Sequence, residues 1–314
     1  MDAKKNAELQ SNEISKWQID VLKLMLGIVY IYAGLAKLNS DWLCNAMPLS
    51  IWLPTKFNLP LLGSLMHERW MHYLFSWGGA FYDLVIVFLL LWKRTRILGF
   101  ALVLIFHILT RALFPIGMFP YIMIIATMIF FSPDFHERLL TRLRGFLGIE
   151  KPVIDQDNAL FQNQFYSKFS FIVLSIFMFI QIVLPLRYLM HEGNIFWTER
   201  GYRYAWRVML MEKTGYANFK IQDGKSGKRF YVQNDDFLTP LQEKEMSTQP
   251  DFILEYGKYL GNHFANQGHQ NVQVFVESYA SLNARPSQVF IDPEVNLMEI
   301  DYKTLCNNHI VPLK

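Results

Sequence analysis

Four ionisable side chains lie within or at the end of long apolar runs and are candidates for chemistry: Lys37, Asp83, His107 and Arg111. A charge inside a membrane span is costly, so such a residue is a functional candidate by default. A lysine in a water-poor site is a candidate base, because poor solvation of the ammonium favours the neutral amine that accepts a proton. A histidine there carries protons or donates a hydrogen bond to a ligand oxygen.

Each of these residues also has a structural interpretation. Lys37 stands at the end of an apolar run within "YIYAGLAKLNSDWL" (30–43), where a lysine can extend its ammonium to the lipid headgroups as an anchor. Asp83 must be protonated or paired, and a cation on a neighbouring span would satisfy it. His107 can hydrogen-bond between helices, and Arg111, near a bend, is interpreted as an anchor. Position alone leaves both interpretations of Lys37 open.

The composition indicates which elements position these residues. Hydrophobic residues make up 52% of the 314 residues and charged residues only 18%, below the roughly 25% of soluble domains. We therefore predict an α-helical multi-pass membrane domain followed by a soluble α+β domain. The predicted divisions are a polar segment 1–18, a membrane domain 19–186 and a soluble domain 187–314. Five apolar segments are candidate spans, namely 19–38, 72–92, 97–114, 115–131 and 169–186.

Prolines, glycines and short strand patterns predict further elements within both domains. In "LFPIGMFP" (113–120), Pro115 disfavours helix at the preceding residue and Gly117 permits a tight bend, so the third and fourth segments are predicted to form a hairpin. In the soluble domain, residues 219–232 indicate a β-hairpin, and two helices are predicted on either side of Pro250. Further strands are predicted within 272–283 and 288–292.

Lys and Arg in the loops predict the orientation. They are concentrated in the second and fourth inter-segment loops, at Lys93, Arg94, Arg96, Arg138, Arg142, Arg144, Lys151 and Lys168. Both loops are therefore predicted to be cytoplasmic, and the Lys37 end of the first segment shares the non-cytoplasmic face with 187–314. Cys44 and Cys306 would lie on that same face, either as a disulfide or as two free thiols.

Composition also excludes some functions. The net charge of +3 gives no support for nucleic-acid binding. The two cysteines form no CxxC pair, which excludes a cysteine-rich zinc site, and no metal is predicted. The stretch "WTERGYRYAWR" (197–207) interleaves aromatic residues with arginines. It is either an interfacial aromatic belt or a wall that meets an acidic substrate, because guanidinium groups pair with carboxylates.

Three stretches, in this order, carry a resemblance: "IYAGLAKLNSDWL", "FHILTRALFPIGMFPY" and "WTERGYRYAWRVML". They resemble the vitamin K-dependent γ-glutamyl carboxylase family, whose membrane part is known as the HTTM (horizontally transferred transmembrane) domain. The similarity continues through "QDGKSGKRFYV" and "VFIDPEVNL" and covers roughly residues 20–300. The lysine motif and the "FH…LFPIGMF" block together are specific, whereas either alone would be weak.

The resemblance implies a reaction. Lys37 matches the lysine that deprotonates vitamin K hydroquinone, which then takes up O2 and ends as the epoxide. The strong base formed on the way removes a γ-proton from a peptidyl glutamate, and the carbanion adds CO2. Tyr202, Tyr204 and Trp206 match the glutamate-site region. The implied partners are membrane lipid and a glutamate-containing peptide or protein.

Other implications concern the surroundings of the site. His107 and Phe119 match positions expected to shape it, and Asp83 is an additional candidate for handling protons. Relative to the family, the chain is expected to lack upstream helices, including one with a histidine that assists the lysine, and to end earlier than the animal enzymes. Two alternatives stay open: a quinone epoxidase that does not carboxylate peptides, and a non-catalytic membrane binding protein on the same scaffold.

Overall fold

The computed structural model describes residues 16–60, 62–148 and 168–314, so most of the predicted polar segment 1–18 and Lys151 lie outside the described residues. The chain divides into two compact units. The helical unit comprises Gly79–Val183 and the described part of Met1–Leu35. The mixed unit comprises Ala36–Gly78 and Leu184–Lys314.

The helices, in chain order, are α1 (Lys16–Lys37), α2 (Ser40–Asn45), α3 (Leu49–Trp52), α4 (Arg69–Leu91), α5 (Arg96–Leu113), α6 (Phe119–Thr127), α7 (Pro133–Leu147), α8 (Lys168–Val183), α9 (Ile195–Thr198), α10 (Pro240–Met246), α11 (Pro250–Asn266) and α12 (Tyr302–Thr304). The strands are β1 (Lys213–Gln222), β2 (Arg229–Tyr231), β3 (Gln273–Leu282) and β4 (Gln288–Val289). Short 3-10 turns follow several helices, and the longest in the described part of the chain is Leu184–Met190.

In the described part of the chain, four helices are long and apolar enough to cross a membrane: Lys16–Lys37, Arg69–Leu91, Arg96–Leu113 and Phe171–Met190. The last of these joins α8 to the 3-10 turn that follows it. Each overlaps one of the predicted segments. Large apolar side chains such as Phe81 and Ile105 are 69% and 63% exposed, which is expected of surfaces that face lipid.

The predicted fourth segment, 115–131, forms a shorter helix that starts only at Phe119. Phe114 is extended, with φ −130° and ψ 140°, because a residue before proline avoids the helical region. Gly117 has φ +62°, a left-handed angle that glycine adopts at little cost. Pro120 then occupies the first turn of α6, where its missing N–H is not needed. The predicted bend is confirmed, and it takes up the first residues of the segment.

A close approach of α1 and α4 depends on Gly34. A Cβ atom on this residue would lie 2.7 Å from Cγ of Leu84 and 3.1 Å from its backbone nitrogen. Small residues let membrane helices approach each other in this way. Tyr30 and Ile86, which are 2% and 1% exposed, belong to the core that these two helices share with α5 and α6.

Helix α7 is an amphipathic element within a segment that is predicted to be a cytoplasmic loop. It begins with Pro133 in its first turn and ends at Gly148, whose φ of +66° gives a left-handed cap. Apolar Leu143 and Leu147 alternate with arginines along it and are 47% and 62% exposed. The flanking proline and glycine are start and stop signals that could have predicted this helix.

The sheet of the mixed unit is antiparallel, with strand order β2-β1-β3-β4. Its centre is the pairing of β1 with β3, which runs from Lys213 opposite Leu282 to Gln222 opposite Gln273. Helix α11 buries its apolar face on the sheet, where the rings of Tyr256 and Phe219 are 4.9 Å apart. The predicted hairpin, paired helices and later strands are confirmed, and with the helical unit they confirm the predicted fold class.

Candidate active site

The end of α1 carries Lys37 and is fixed by Asn39. Nδ2 of Asn39 donates to the carbonyl of Ala36 at 2.9 Å, which satisfies an acceptor that the end of a helix leaves open. Oδ1 of the same residue accepts from the backbone nitrogen of Trp42 at 2.9 Å and caps the start of α2. One asparagine therefore fixes both helix ends and the position of Lys37.

Lys37 is shielded from solvent, with only 8% of the residue exposed. Its Nζ lies 5.5 Å from the centroid of the Trp42 ring. The indole nitrogen of Trp42 donates to the carbonyl of Ser76 at 2.7 Å, which holds the ring in place. A lysine that serves as an interfacial anchor extends its ammonium towards water, and this burial is not what that interpretation predicts.

Asp41 ties α2 to the end of β3. Its carboxylate accepts two hydrogen bonds from the guanidinium of Arg285, at 2.7 and 2.9 Å, and one from Nδ2 of Asn283 at 2.8 Å. Burial favours the neutral carboxyl, but these hydrogen bonds and the positive charge of Arg285 outweigh it and hold the pKa of Asp41 below its usual range. The paired geometry is the strong form of an arginine–carboxylate contact.

Asn283 extends this contact to the residue that precedes β1. Its side-chain oxygen accepts from the backbone nitrogen of Glu212 at 2.8 Å, and its backbone nitrogen donates to the Glu212 carbonyl at 2.8 Å. Oε2 of Glu212 accepts from the indole nitrogen of Trp52 at 2.6 Å. The segment between α1 and α4 therefore contacts the sheet at two points, through Asp41 and Trp52.

Lys213, the next residue, makes a buried ion pair. Its Nζ donates to Oε1 of Glu199 at 2.9 Å and to the carbonyl of Trp197 at 2.8 Å, and lies 4.3 Å from the ring centroid of Phe290. Burial lowers the pKa of Lys213 and raises that of Glu199, although their attraction opposes both shifts. A series of contacts therefore runs from Asp41 through Asn283 and the Glu212–Lys213 segment to Glu199.

The stretch around Glu199 is a series of tight turns. Left-handed backbone angles, with φ between 55° and 73°, recur at Glu199, Gly201, Tyr204, Trp206 and Met209. Such angles cost roughly 1–2 kcal/mol for a residue with a side chain. They persist only where surrounding contacts hold them, and they are often found at functional sites. The strain gives this stretch a defined shape although it contains little helix or strand.

The three residues predicted for the glutamate region differ in exposure. The Tyr202 hydroxyl donates to the Arg207 carbonyl at 2.6 Å, and burial raises the pKa of Tyr202 to about 12. Trp206 is half-buried, whereas Tyr204 is 74% exposed. Tyr202 therefore holds the turn together, and Tyr204 offers its ring to whatever approaches the surface.

The helical unit brings His107 and Phe119 together in an aromatic cluster. Nε2 of His107 shares a hydrogen bond with the Tyr30 hydroxyl at 3.1 Å, and its ring centroid lies 6.3 Å from that of Phe119. The Tyr82 ring packs edge-on to His107 and stacks on Phe106 at 3.9 Å. His107 is 2% exposed, and its Nδ1 has no hydrogen-bond partner among the described residues.

Asp83, Arg111 and the two cysteines are the remaining candidates. Asp83 is 4% exposed and follows Tyr82 on α4. Arg111 is exposed in the last turn of α5, which agrees with its interpretation as an anchor. Cys44 is exposed and Cys306 is buried, and both are free thiols, which is one of the two alternatives left open. Among the described residues, no cluster of three His, Cys, Asp or Glu side chains could hold a metal.

Several residues at these sites were not singled out from the sequence. The Asn-Ser-Asp run at 39–41 is a typical helix start and could have predicted the cap. Nothing local predicts that Arg285 pairs with Asp41, which lies 244 residues earlier. Tyr30 stands in an apolar run like an ordinary core residue, and only the fold places its hydroxyl on His107.

Comparison with models of protein families gives two matches. Residues 1–135 match the family described as "HTTM domain", and residues 166–314 match "Vitamin K-dependent gamma-carboxylase, lumenal domain". A search of solved structures finds no match. The two matched regions follow one another in the order that the resemblance predicts. The chain is an integral membrane protein and belongs to the vitamin K-dependent γ-glutamyl carboxylase family.

Proposed function

We propose that this protein is a membrane-embedded γ-glutamyl carboxylase-type enzyme that couples oxygenation of a reduced vitamin K-like quinone to the epoxide with carboxylation of peptidyl glutamate. The observation that carries the proposal is a path of contacts from Asp41 to Glu199. Hydrogen bonds join Asp41 to Asn283 and Asn283 to Glu212, the peptide chain joins Glu212 to Lys213, and an ion pair joins Lys213 to Glu199. It joins the lysine motif to the 197–207 stretch, the two parts that the reaction requires near each other.

Lys37 is the proposed base, which accepts a proton at Nζ from a hydroxyl of the reduced quinone. Its burial keeps competing water away from the amine. Asn39 and Trp42 restrict where the amine can lie, because one fixes the end of α1 and the other packs beside Nζ. A positioned base is more effective than a freely rotating one.

The 197–207 stretch is proposed to border the glutamate of the peptide. Exposed Tyr204 and half-buried Trp206 offer apolar and hydrogen-bonding surface to a peptide. Tyr202 supports them from within the turn. The shape of this stretch is set by the strained backbone and the buried Lys213–Glu199 pair, so we expect it to be largely preformed before the peptide binds.

The aromatic cluster around His107 suits the reduced quinone. A buried ring nitrogen without a protein partner carries a desolvation cost, and a ligand hydroxyl within reach of Nδ1 would relieve it. Phe119 and Tyr82 supply flat aromatic surface beside it. Asp83, buried next to Tyr82, is proposed to take part in proton handling. The quinone supplies the oxygen chemistry that generates a base strong enough for the glutamate γ-proton.

Contacts within the mixed unit also support the predicted orientation of the chain in the membrane. Residues between α1 and α4 make direct hydrogen bonds to the sheet through Asp41 and Trp52. Segments in such contact lie on one side of a membrane, which supports the prediction that the Lys37 end and residues 187–314 share a face. The loop charges make that face the non-cytoplasmic one. A labelling scan that reached 187–314 from the cytoplasm would contradict this orientation.

The proposal is tested by supplying the full chain, in detergent-lipid mixtures, with reduced quinone, a glutamate-containing peptide and labelled bicarbonate. We expect label in the peptide only when reduced quinone and O2 are present, together with quinone epoxide. Epoxide without labelled peptide would indicate a quinone epoxidase instead. Absence of both products would indicate a non-catalytic binding protein.

The base assignment has its own test. Lys37→Ala should lower epoxide formation by at least about 100-fold, the usual contribution of a positioned acid or base, and a small exogenous amine should restore part of it. Lys93→Ala is the matched control, since Lys93 is an exposed lysine just after α4 and should be dispensable. Undiminished epoxide formation by Lys37→Ala would exclude this residue as the base.

A further inference from the structure

A cavity of about 360 Å³ in the mixed unit carries more positive charge than its carboxylates neutralise. We call it the basic cavity and define it by Arg187, His191, Arg200, Arg203, Asp251 and Lys303. Arg203 pairs with Asp251 at 2.6 Å. Glu199, which also lines the cavity, pairs with Lys213 at 2.9 Å. Both carboxylates in the lining are therefore already neutralised.

Three cations of the basic cavity, in the described part of the chain, have no carboxylate partner. Among the described residues, no carboxylate lies within ion-pair distance of the side chain of Arg187, Arg200 or Lys303. Nε of Arg187 is buried and has no hydrogen-bond partner in the described part of the chain. Burial and repulsion from Arg200 and Arg187 lower the pKa of His191, which shows how closely the charges are grouped. Such a group of donors is built to receive an anion.

The surroundings of the basic cavity indicate what kind of anion binds. Arg187 belongs to the candidate span Phe171–Met190, and Leu189 and Met190 at its end are 68% and 84% exposed. Tyr204, which is 74% exposed, lies with its ring centroid 5.9 Å from the Arg187 guanidinium. Exposed apolar and aromatic side chains beside arginines at the end of a span are typical of the headgroup region of a bilayer.

From this geometry we infer that the basic cavity binds the phosphate headgroup of an anionic phospholipid. Arg200 and Lys303 are the cations free to pair with the phosphate, and Nε of Arg187 is a further donor. Leu189 and Met190 would lie against the acyl chains and glycerol. An acidic peptide would satisfy the same cations, but the exposed apolar residues beside them favour a lipid. The inference does not depend on the proposed carboxylation.

The test compares lipid retention by the purified full chain. Native mass spectrometry would count phosphatidylglycerol and phosphatidylcholine bound to the wild-type protein and to Arg200→Gln/Lys303→Gln. Each basic residue near an anionic lipid contributes roughly fivefold to binding, so the double variant should lose at least about tenfold of the preference for phosphatidylglycerol. The control Lys225→Gln/Lys228→Gln removes the same charge from an exposed turn and should keep the preference.

Two further arms identify the source of the anion. Phosphatidylglycerol should resist displacement by excess inorganic phosphate and by a glutamate-rich peptide. Displacement by inorganic phosphate would overturn the lipid assignment in favour of a free anion, and displacement by the peptide would assign the cavity to the substrate.

A second measurement does not depend on how the variants fold. Photoreactive phosphatidylglycerol added to membranes that contain the wild-type protein should label peptides from residues 187–204 or 302–306. Labelling confined to other parts of the chain, or equal retention of phosphatidylglycerol by all folded variants, would refute the inference.

Discussion

The helical unit and the mixed unit bury polar side chains by different means. In the helical unit, His107 has one neutral hydrogen bond, to Tyr30, and its second ring nitrogen is without a partner among the described residues. In the mixed unit, Asp41 accepts three hydrogen bonds, two of them from a guanidinium. The hydrogen bonds of Asp41 therefore fix the backbone around it, whereas one ring nitrogen of His107 is satisfied by no described protein group.

The largest effect that this difference predicts follows from Arg285→Ala. Removing the guanidinium leaves the buried carboxylate of Asp41 with one hydrogen bond from Asn283. The Arg285 side chain is itself 32% exposed. We therefore expect the free energy of unfolding of the full chain in detergent to fall by about 2 kcal/mol, the cost of leaving a buried charged acceptor short of its hydrogen bonds.

The control for that prediction is Arg203→Ala. The side chain of Arg203 is 54% exposed in its pair with Asp251, so its removal should cost less than about 1 kcal/mol. Equal losses for the two variants would show that Asp41 and Arg285 contribute no more than a surface pair.

We expect acid to lower the stability of the fold through Asp41 by less than the Arg285→Ala substitution does. Because the pKa of folded Asp41 lies below its usual value, the carboxylate stabilises the fold above the unfolded pKa of about 3.9. That contribution is lost as pH falls through the lower folded pKa. Unfolding midpoints measured from neutral pH down to about 3 should therefore decline less steeply for Asp41→Asn than for the wild type.

Asp223 provides a matched control for the pH prediction. Its pKa is also lowered, first by the hydrogen bond from the backbone of Ser226 in the hairpin turn. Asp223→Asn should change the dependence of the unfolding midpoint on pH without affecting the contribution of Asp41. Asp41→Asn should therefore reduce the slope by the same amount in the Asp223→Asn background as in the wild type. If Asp41→Asn leaves the slope unchanged in both backgrounds, its carboxylate does not stabilise the fold.

The smallest effect is expected from Tyr30→Phe in the helical unit. The variant removes one neutral hydrogen bond to His107, and such bonds between membrane helices contribute about 0.6 kcal/mol on average. Unfolding in detergent should therefore shift only slightly, and Tyr121→Phe, at an exposed tyrosine of α6, should not shift it. A loss as large as that of Arg285→Ala would remove the distinction between the two units.

The sequence predicts the helices and strands of this protein better than it predicts which residues contact one another. Apolar length is a property of a segment, so the four long apolar helices and the position of Lys37 at the end of α1 could be recognised locally. The later start of α6 follows from Pro115, Gly117 and Pro120, which are local signals for a bend and for the first turn of the next helix. Helix α7 lies in a segment predicted as a charged loop, because its arginines alone do not distinguish a helix from a loop.

Contacts over long sequence separations could not be predicted in the same way. Arg285 pairs with Asp41 only because β3 ends beside α2, and a hydrogen-bonding partner for His107 could have come from any apolar segment. The stretch 197–207 was recognised by its composition. Its left-handed angles at Tyr204 and Trp206 have no sequence signal, since glycine is the residue that usually marks such positions.

The two hydrogen bonds of Asn39, to Ala36 and to Trp42, bear on how deep Lys37 lies in the bilayer. Helix α1 has 22 residues and is about 33 Å long, close to the thickness of the hydrocarbon core. Its Lys37 end is tied to α2, and α2 is tied through Asp41 to Arg285 beyond β3. We therefore expect this end to resist being drawn into the hydrocarbon core. We expect a change in bilayer thickness to be absorbed at the opposite end, near Lys16, so that the amine keeps the same level in thin and thick membranes.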